Sequence, residues 1–301
     1  MTCAPIALFV YNRPGHTRLT VEALLANTLA NQTPLHVFSD APRNEAASLA
    51  VAEVRSYIRS IAGFKTVTII ERETNFGLAH SIIDGVTSLC KERDRVIVME
   101  DDLVTSPYFL KFMNEGLDLY ERDERVISIH GYVYPVMETL PETFFLRGAD
   151  CWGWATWKRG WDLFKPDGQS LLQELNAHNL THRFDFDGAH SYVRMLKNQI
   201  KGKNNSWAIR WHASAFLKNK LTLYPGRSLV LNIGTDNSGA HCSTTTVFAG
   251  GMANSPIAIE PISVEENEFA RQQIIQFHKA ARRLTPIRVL RKLTDIVQRA
   301  R

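Results

Sequence analysis

Cysteine is scarce in this sequence, and long apolar runs are missing. The 301 residues include four cysteines, which are scattered at positions 3, 90, 151 and 242. No CxxC pair occurs, so the common zinc and redox motifs are excluded, and the scatter fits a reducing cytoplasm. No stretch approaches the roughly 18 consecutive apolar residues of a membrane-spanning helix. The first residues lack the basic segment and cleavage site of a signal peptide, so we expect none.

Internal repeats and low-complexity linkers are also missing. Hydrophobic residues make up 45% of the chain and charged residues 22%, which is typical of a folded protein. The length allows one large domain or two small ones. We therefore expect one domain followed by a C-terminal appendage.

Positive charge is concentrated at the C-terminus. Residues 279–301 contain eight Lys and Arg and one acid, a net +7, which leaves −3 on the rest of a chain that totals +4. If the segment is helical, one face carries Val289, Leu290, Leu293, Ile296 and Val297. Such a basic amphipathic helix suits an anionic membrane surface, although it could instead pack against the protein itself. Nucleic-acid binding is not expected because no recognised motif accompanies the charge.

Strand-like and helix-like segments alternate in the first half of the chain. Strands are predicted over 5–11, 35–39, 66–70 and 95–99, and helices over 16–30, 45–61, 78–90 and 106–120. This alternation predicts an α/β fold with a mostly parallel, Rossmann-like sheet flanked by helices. The second half is less regular, with helices over 188–201 and 207–218 and strands over 221–224 and 228–231. Ligands of such sheets bind at the carboxyl ends of the strands.

Three consecutive acids, Glu100, Asp101 and Asp102, follow the apolar strand 95–99. Adjacent carboxylates repel each other and are costly to bury, so their position indicates a bound cation, with a hard divalent metal as the natural candidate. The alternative is a solvated turn before a helix. Asp236 and His241 lie in a late polar loop, where neutral His241 could complete a metal shell, although a lone histidine is more often structural.

Other polar residues follow predicted strands. Arg13 could hold a phosphate or stack on a base, or it could belong to a helix-entry turn. Asp40 could accept hydrogen bonds from a ribose or a base, or it could begin a turn. Residues 75–79 precede a helix whose amides suit an anion, although Asn75 could simply cap that helix.

Four tryptophans lie within residues 152–161. Tryptophans usually fill cores, but glycines and Asp150 are interleaved here without clear periodicity. We therefore favour the interpretation that this stretch lines a sugar-binding pocket.

Together these residues resemble the nucleotide-sugar glycosyltransferases of the GT-A fold, particularly bacterial family 2-like enzymes and N-acetylglucosaminyltransferase I. The likeness extends over most of residues 4–245. The motifs that carry it are 7–14 (ALFVYNRP), 37–40 (VFSD), 75–79 (NFGLA), 100–102 (EDD), 154–157 (WATW) and 206–211 (SWAIRW).

The resemblance implies a role for each matching residue. Asp102 would ligate Mn²⁺ or Mg²⁺, while Glu100 and Asp101 would contact the sugar or ribose. Asp40 would bind the uracil ring. The remaining donor-site residues would be Val10, Tyr11, Arg13, Asn75 and Leu78, and those of the acceptor site would be Trp152, Trp154, Trp207 and Arg210. The catalytic domain would span 1–262, with a nucleotide-binding half (1–130) and an acceptor-binding half (131–262), and the basic helical tail would span 263–301.

One departure concerns the general base. The related N-acetylglucosaminyltransferase has an acid pair between two tryptophans, whereas Trp207 and Trp211 enclose no acid here. An inverting reaction needs a carboxylate to accept the acceptor proton, and Asp150 is the first candidate and Asp236 the second. If neither is suitably placed, a retaining reaction is the alternative. Arg210 could instead pair with the diphosphate or with an anionic acceptor.

The sequence thus predicts a metal-dependent, inverting glycosyltransferase that uses a UDP-sugar. Its acceptor would be a glycan or lipid-linked glycan of lipopolysaccharide or another bacterial surface polysaccharide. The enzyme would lie on the inner face of the cytoplasmic membrane. Two alternatives stay open. A sugar-1-phosphate nucleotidyltransferase should have a Gly-rich phosphate loop after the first strand, which residues 12–15 match poorly. A non-catalytic carbohydrate-binding protein would not need the acid triplet.

Overall fold

The computed structural model describes residues 3–236 and 247–282. His241 and residues 283–301 lie outside these ranges, so the predictions that concern them are not addressed by the structure. In the first half, strands and helices alternate: β1 Ile6–Val10, α1 Pro14–Leu25, β2 Pro34–Ser39, α2 Glu45–Ile58, β3 Thr66–Glu71, α3 Leu78–Arg93 and β4 Arg95–Glu100. A short 3₁₀ helix, Ala30–Gln32, precedes β2.

Local sequence signals explain several of these boundaries. Pro14 occupies the first turn of α1, where its missing N–H is harmless. The Asn44 side chain accepts a hydrogen bond from the Ala47 amide and caps α2. Asp94, with φ of 60°, adopts the left-handed conformation that ends α3.

The second half mixes short strands with helices. Its elements are β5 Leu103–Thr105, α4 Phe109–Leu119, β6 Val126–His130, β7 Thr143–Arg147, β8 Trp154–Trp157, α5 Lys158–Trp161, α6 Gly168–Ala177, α7 Thr181–Phe184, α8 Tyr192–Ile200, α9 Trp207–Leu217, β9 Leu221–Pro225 and β10 Val230–Asn232. A further helix begins at 268 and continues to 282.

Eight strands form one sheet in the order β3-β2-β1-β4-β8-β6-β9-β7. β8 is antiparallel to both of its neighbours, β7 is antiparallel to β9, and the other pairs are parallel. β5 and β10 form a separate antiparallel pair. The predicted mostly parallel α/β sheet is therefore confirmed. The carboxyl ends of β1, β2, β4, β6 and β9 meet at one edge, and the antiparallel β8 begins there.

Both faces of the sheet are covered. Ile6 and Leu8 of β1 belong to one apolar cluster, whereas Ala7 and Phe9 belong to another on the opposite face. This division follows from the two-residue period of a strand. On the second face Phe9 stacks on Phe38 at 4.9 Å between ring centroids. Helix α3 approaches these rings closely at Gly85, where a Cβ atom would lie 2.7 Å from Phe9.

The tryptophan-rich stretch forms part of the sheet. Trp154 and Ala155 of β8 pair with Val98 and Ile97 of β4 on one side and with β6 on the other. Trp154 is 0% exposed and packs against Trp161, Trp207 and Trp211. From Trp154 onward, the tryptophan-rich stretch is therefore part of the core and does not line a sugar-binding pocket.

Residues 263–282, the described part of the predicted tail, pack against the body. Glu266 forms a β-bridge with Phe145, and the Asn267 amide donates to the Phe145 carbonyl. Arg271 is 3% exposed and forms an ion pair with Asp187 at 2.7 Å. The folded body thus extends beyond residue 262, to at least 282. None of the helices in the described ranges is long and apolar enough to span a membrane.

Candidate active site

The acid triplet lies at the carboxyl edge of the sheet, at the end of β4. Glu100 is the last residue of β4 and is paired with Phe9 of β1. Asp101 and Asp102 form the turn between β4 and β5, which is named the acid turn. The Thr20 hydroxyl of α1 donates to the Asp101 carbonyl at 2.9 Å, and the Ile233 amide donates to the Asp102 carbonyl at 2.9 Å. The backbone of this turn is therefore held from both sides.

Arg13 balances the two aspartates. It precedes α1, and its Nη2 atom donates to the Asp101 carboxylate and to Asp102 Oδ2, the latter at 3.0 Å. Asp101 is 4% exposed and Asp102 is 9% exposed, so this ion pair is largely shielded from water. The structure brings Arg13 and the acids together at the predicted edge, while their roles in ligand binding stay predictions.

Glu100 is protonated more readily than an ordinary glutamate. Burial, followed by the charges of Asp102 and Asp101, raises the pKa of Glu100 to about 8. The Arg13 guanidinium acts in the opposite direction, because a nearby positive charge favours the ionised carboxylate.

The loop after β10 lies against the acid turn. Gly234 is so close that a Cβ atom there would lie 2.0 Å from Asp102 Oδ2. Asp236, two residues later, pairs with His16 of α1 at 3.1 Å between Oδ2 and Nε2. The second candidate for the base is therefore near the acids, and its side chain is about half exposed.

A divalent cation would find hard oxygen donors here. The carboxylates of Asp101 and Asp102 converge, and such oxygens are the ligands that Mg²⁺ and Mn²⁺ prefer. However, the Arg13 guanidinium lies between them, and the described residues contain no group of three or more metal-ligating side chains. The donor set therefore fits a metal only if Arg13 moves away.

Asp40 anchors the loop before α3. Its Oδ1 accepts from the amides of Ala41 and Phe76 at 2.9 and 2.8 Å, and its Oδ2 accepts from the Gly77 amide and the Asn75 side chain at 2.8 and 3.0 Å. A carboxylate has about four acceptor positions, so these donors occupy all of them. Asp40 thus has a clear structural function, whereas its predicted contact with uracil stays a prediction.

The other predicted donor-site residues lie around this loop. Leu78 is 44% exposed at the start of α3, and Val10 is buried in β1. The Tyr11 hydroxyl accepts from the Arg43 amide at 3.0 Å. The Leu78 side chain is thus accessible to a nucleotide, whereas Val10 could contribute only through its backbone.

Asp150 lies at the same edge, in the segment that leads into β8. It is half-buried, and its Oδ1 accepts from the Cys151 amide at 2.8 Å. Burial, followed by the charge of Asp150, raises the pKa of the Cys151 thiol, and the charges of Glu100 and Asp102 act in the same direction. Cys151 is therefore close enough to both Asp150 and the acid turn to feel their charges.

Tyrosines and histidines that the sequence did not single out surround Asp150. Burial, followed by the charge of Asp150, raises the pKa of Tyr132 and Tyr192. The hydroxyls of Tyr134 and Tyr192 are 3.4 Å apart. The His212 ring packs on the Tyr192 ring, with 4.8 Å between centroids. The sequence signal for the tyrosines is the position of Tyr132 and Tyr134 directly after β6, a strand that was not among the predicted ones.

Two buried histidines, His130 and His212, contact the segment around Asp150. Burial lowers the pKa of His130 and His212. His130 Nε2 accepts from the Trp152 amide at 3.1 Å, and His212 Nδ1 lies 2.7 Å from the Ala149 carbonyl, to which it donates. Both contacts are made to the segment 149–152, so the two rings hold the backbone on either side of Asp150.

The predicted acceptor-site residues differ in how accessible their side chains are. Trp152 is half-buried and packs edge-on against Tyr132 at 4.7 Å between centroids, so part of its ring is accessible. Trp154 and Trp207 are 0% and 3% exposed, which leaves no ring face open to a sugar. Arg210 is buried and donates to the Ser206 and Pro166 carbonyls, so its guanidinium stabilises the start of α9.

No protein-family model and no curated protein matches the chain. Among solved structures, it is similar to S. aureus TarS 1-349, with 12% identity and a TM-score of 0.35, covering 58% of this chain and 49% of that one. It is also similar to glucosyl-3-phosphoglycerate synthase from Mycobacterium tuberculosis, solved with Mn²⁺, UDP-glucose and phosphoglyceric acid. That match has 11% identity and a TM-score of 0.32, covering 54% of this chain and 58% of that one. The chain thus spans about half of the TarS chain, and likenesses of this size assign no activity.

Proposed function

We propose that this chain is a glycosyltransferase that moves a sugar from a nucleotide-sugar donor, a UDP-sugar, to a hydroxyl of a glycan acceptor. The observation that carries the proposal is the placement of two different acidic groups at one edge of the sheet. The acid turn carries a cationic partner, Arg13, whereas Asp150 lies near enough to Tyr132 and Tyr192 for its charge to raise their pKa values. The first environment suits a diphosphate and the second suits a sugar.

On the donor side, Arg13 can form paired hydrogen bonds with phosphate oxygens. Asp102 would hold Mn²⁺ or Mg²⁺, and His241 is proposed as a further ligand. When bound, the cation would neutralise charge that develops on the leaving nucleoside diphosphate. Glu100 and Asp101 are proposed to contact the sugar or ribose, and Asp40, Asn75 and Leu78 to lie beside the base.

On the acceptor side, Asp150 is the proposed general base of an inverting transfer. Its carboxylate would accept the proton of the acceptor hydroxyl as that oxygen attacks the anomeric carbon and the nucleoside diphosphate leaves. Trp152, Tyr134 and Tyr192 are placed to orient the acceptor, since flat rings bind the C–H faces of sugars and phenol hydroxyls bind their oxygens. Holding the two substrates in line contributes the rest of the rate enhancement.

Titration calorimetry with UDP tests the donor site. We expect wild-type protein to bind UDP more tightly with Mn²⁺ than without it, and Asp102→Ala to lose the metal-dependent part. Asp162→Ala is the matched control, because Asp162 is exposed and pairs with Lys158 on another part of the surface. UDP binding that is absent under every condition would count against a UDP-sugar donor, and other nucleotides would be tested next.

The base is tested by Asp150→Asn, which should abolish sugar transfer while leaving UDP affinity unchanged. Asp236→Asn is the comparison, since Asp236 is the other candidate. Loss of transfer in Asp236→Asn alone would move the role to Asp236. Full transfer activity in both variants would contradict a base-assisted inverting mechanism and favour a retaining one.

We further propose that the acceptor is a lipid-linked glycan in bacterial surface polysaccharide synthesis, and that the basic segment 279–301 binds an anionic membrane. The charge of that segment supports this. Deletion of 283–301 is the appropriate test, because Arg282 still donates to the Gly188 carbonyl within the body. Equal binding of full-length and truncated protein to anionic vesicles would contradict the membrane role.

A further inference from the structure

Arg13 combines a fixed backbone with a long and movable side chain. Its carbonyl accepts from the amide and the hydroxyl of Thr17, both at 2.9 Å, so the backbone is tied to the first turn of α1. The guanidinium reaches from there to the acid turn. A single nitrogen, Nη2, contacts the carboxylates of both Asp101 and Asp102. The side chain can therefore leave the acids without disturbing the helix.

Arg13 occupies the space that a metal bound by these carboxylates would need. The side chains of Arg13, Asp101 and Asp102 are 17%, 6% and 13% exposed, so water screens their charges weakly. A divalent cation between the aspartates would lie beside the guanidinium, and the two positive charges would repel each other strongly. Bound metal and the present position of Arg13 therefore exclude each other.

We propose that Arg13 is an internal counter-ion that exchanges places with the metal when a nucleoside diphosphate binds. This inference rests on the proposed function. The guanidinium released from the aspartates would gain the diphosphate oxygens as new partners, and the same oxygens would be available to the incoming metal. Metal alone binds weakly because it must displace Arg13 without compensation. Metal and nucleotide together bind with positive cooperativity, and the coupling is equal in both directions.

The test measures Mn²⁺ binding directly, by electron paramagnetic resonance of the free ion, with and without UDP. In wild-type protein we expect UDP to tighten Mn²⁺ binding by about tenfold or more. In Arg13→Met, which keeps a long side chain and removes the charge, Mn²⁺ alone should bind about tenfold more tightly than in wild type. UDP should then add little further Mn²⁺ affinity. Arg43→Met is the control, because Arg43 is exposed at the same edge.

Arg13→Lys provides a second variant in case Arg13→Met does not fold. Lysine keeps the charge but cannot form the forked contacts of a guanidinium. Mn²⁺ alone should therefore bind Arg13→Lys more tightly than wild type. Circular dichroism establishes that each variant is folded before its affinity is compared.

Three outcomes would overturn the exchange, and they are distinguishable. Unchanged or weaker Mn²⁺ binding by folded Arg13→Met would refute it while leaving the donor site in place. UDP binding that is independent of Mn²⁺ in wild type and lost in Arg13→Met would make Arg13 a permanent substitute for a metal. Absence of both Mn²⁺ and UDP binding in wild type would remove the proposed function as well.

Discussion

Replacing Asp40 by asparagine should destabilise the fold by roughly 3 kcal/mol. Oδ1 accepts from Ala41 and Phe76, and Oδ2 accepts from Gly77 and Asn75. Asparagine replaces one of the two oxygens by an NH₂ group that cannot accept, so two donors lose their partner whichever way the amide is turned. A hydrogen bond to a charged group contributes about 1.5–3 kcal/mol. We use the lower value because three of the four bonds are only partly buried.

Urea unfolding near neutral pH, followed by tryptophan fluorescence, measures the effect. The midpoint of Asp40→Asn should fall while the dependence of the free energy on urea stays constant. Glu45→Gln is the matched control, because Glu45 is an exposed acid in the first turn of α2 and the charge change is the same. Its free energy of unfolding should stay within about 0.5 kcal/mol of wild type.

One result would refute the reasoning. If Asp40→Asn unfolds with the wild-type free energy, the four hydrogen bonds do not anchor the 75–77 loop as described. A simultaneous loss of UDP affinity would then assign Asp40 to recognition of the base. If Asp40→Asn is less stable but binds UDP with wild-type affinity under conditions where it is fully folded, Asp40 has a structural role and does not contact the base.

Three other substitutions give separate tests. Burial lowers the pKa of His278 from 6.5 to about 3, so between these values the unfolded chain binds the extra proton and stability falls as pH falls. Between about pH 7.5 and pH 4.5, this proton should lower the free energy of unfolding of the wild type by roughly 3 kcal/mol, and His278→Phe should lack that decrease. Denaturant unfolding at several pH values measures it, and an equal dependence on pH in the two proteins would contradict the prediction. Gly234→Ala should weaken UDP binding in the presence of Mn²⁺ by about tenfold in calorimetry, because the added Cβ would displace the Asp102 carboxylate. Unchanged affinity would show that the loop containing residue 234 moves and the carboxylate does not. Trp154→Ala should lower the free energy of unfolding by about 4 kcal/mol. Trp152→Ala should affect acceptor use and lower the free energy of unfolding by less, because Trp152 is only half-buried.

The first half of the chain was predictable because its strands are apolar runs with clear boundaries. Strands over 35–39, 66–70 and 95–99 and helices over 45–61 and 78–90 were expected, and each is present within a few residues. The meeting of Arg13 with the acid turn follows from the parallel order of β1 and β4, because residues after adjacent parallel strands share an edge.

The second half of the chain was harder to predict for a physical reason. β8 lies between two strands and is buried on both faces, so Trp154 and Trp157 show no polar alternation that would mark a strand. Most partners of Asp40 could not be foreseen either, because three of the four residues that donate to it lie at 75–77, more than thirty positions away. The histidines around Asp150 come from β6 and α9, which only the tertiary fold brings together.

The antiparallel strand β8 has a mechanical consequence. It is hydrogen-bonded to β4 of the first half and to β6 of the second, through pairs such as Ile97 with Ala155 and Ile129 with Ala155. A hinge rotation of one half against the other would have to break these ladders in the middle of a buried sheet. The distance between the acid turn and Asp150 is thereby set by a rigid platform. Closure around the proposed substrates would therefore come from loops at the edge rather than from movement of the halves. Variants in those loops should then alter substrate capture without altering global stability.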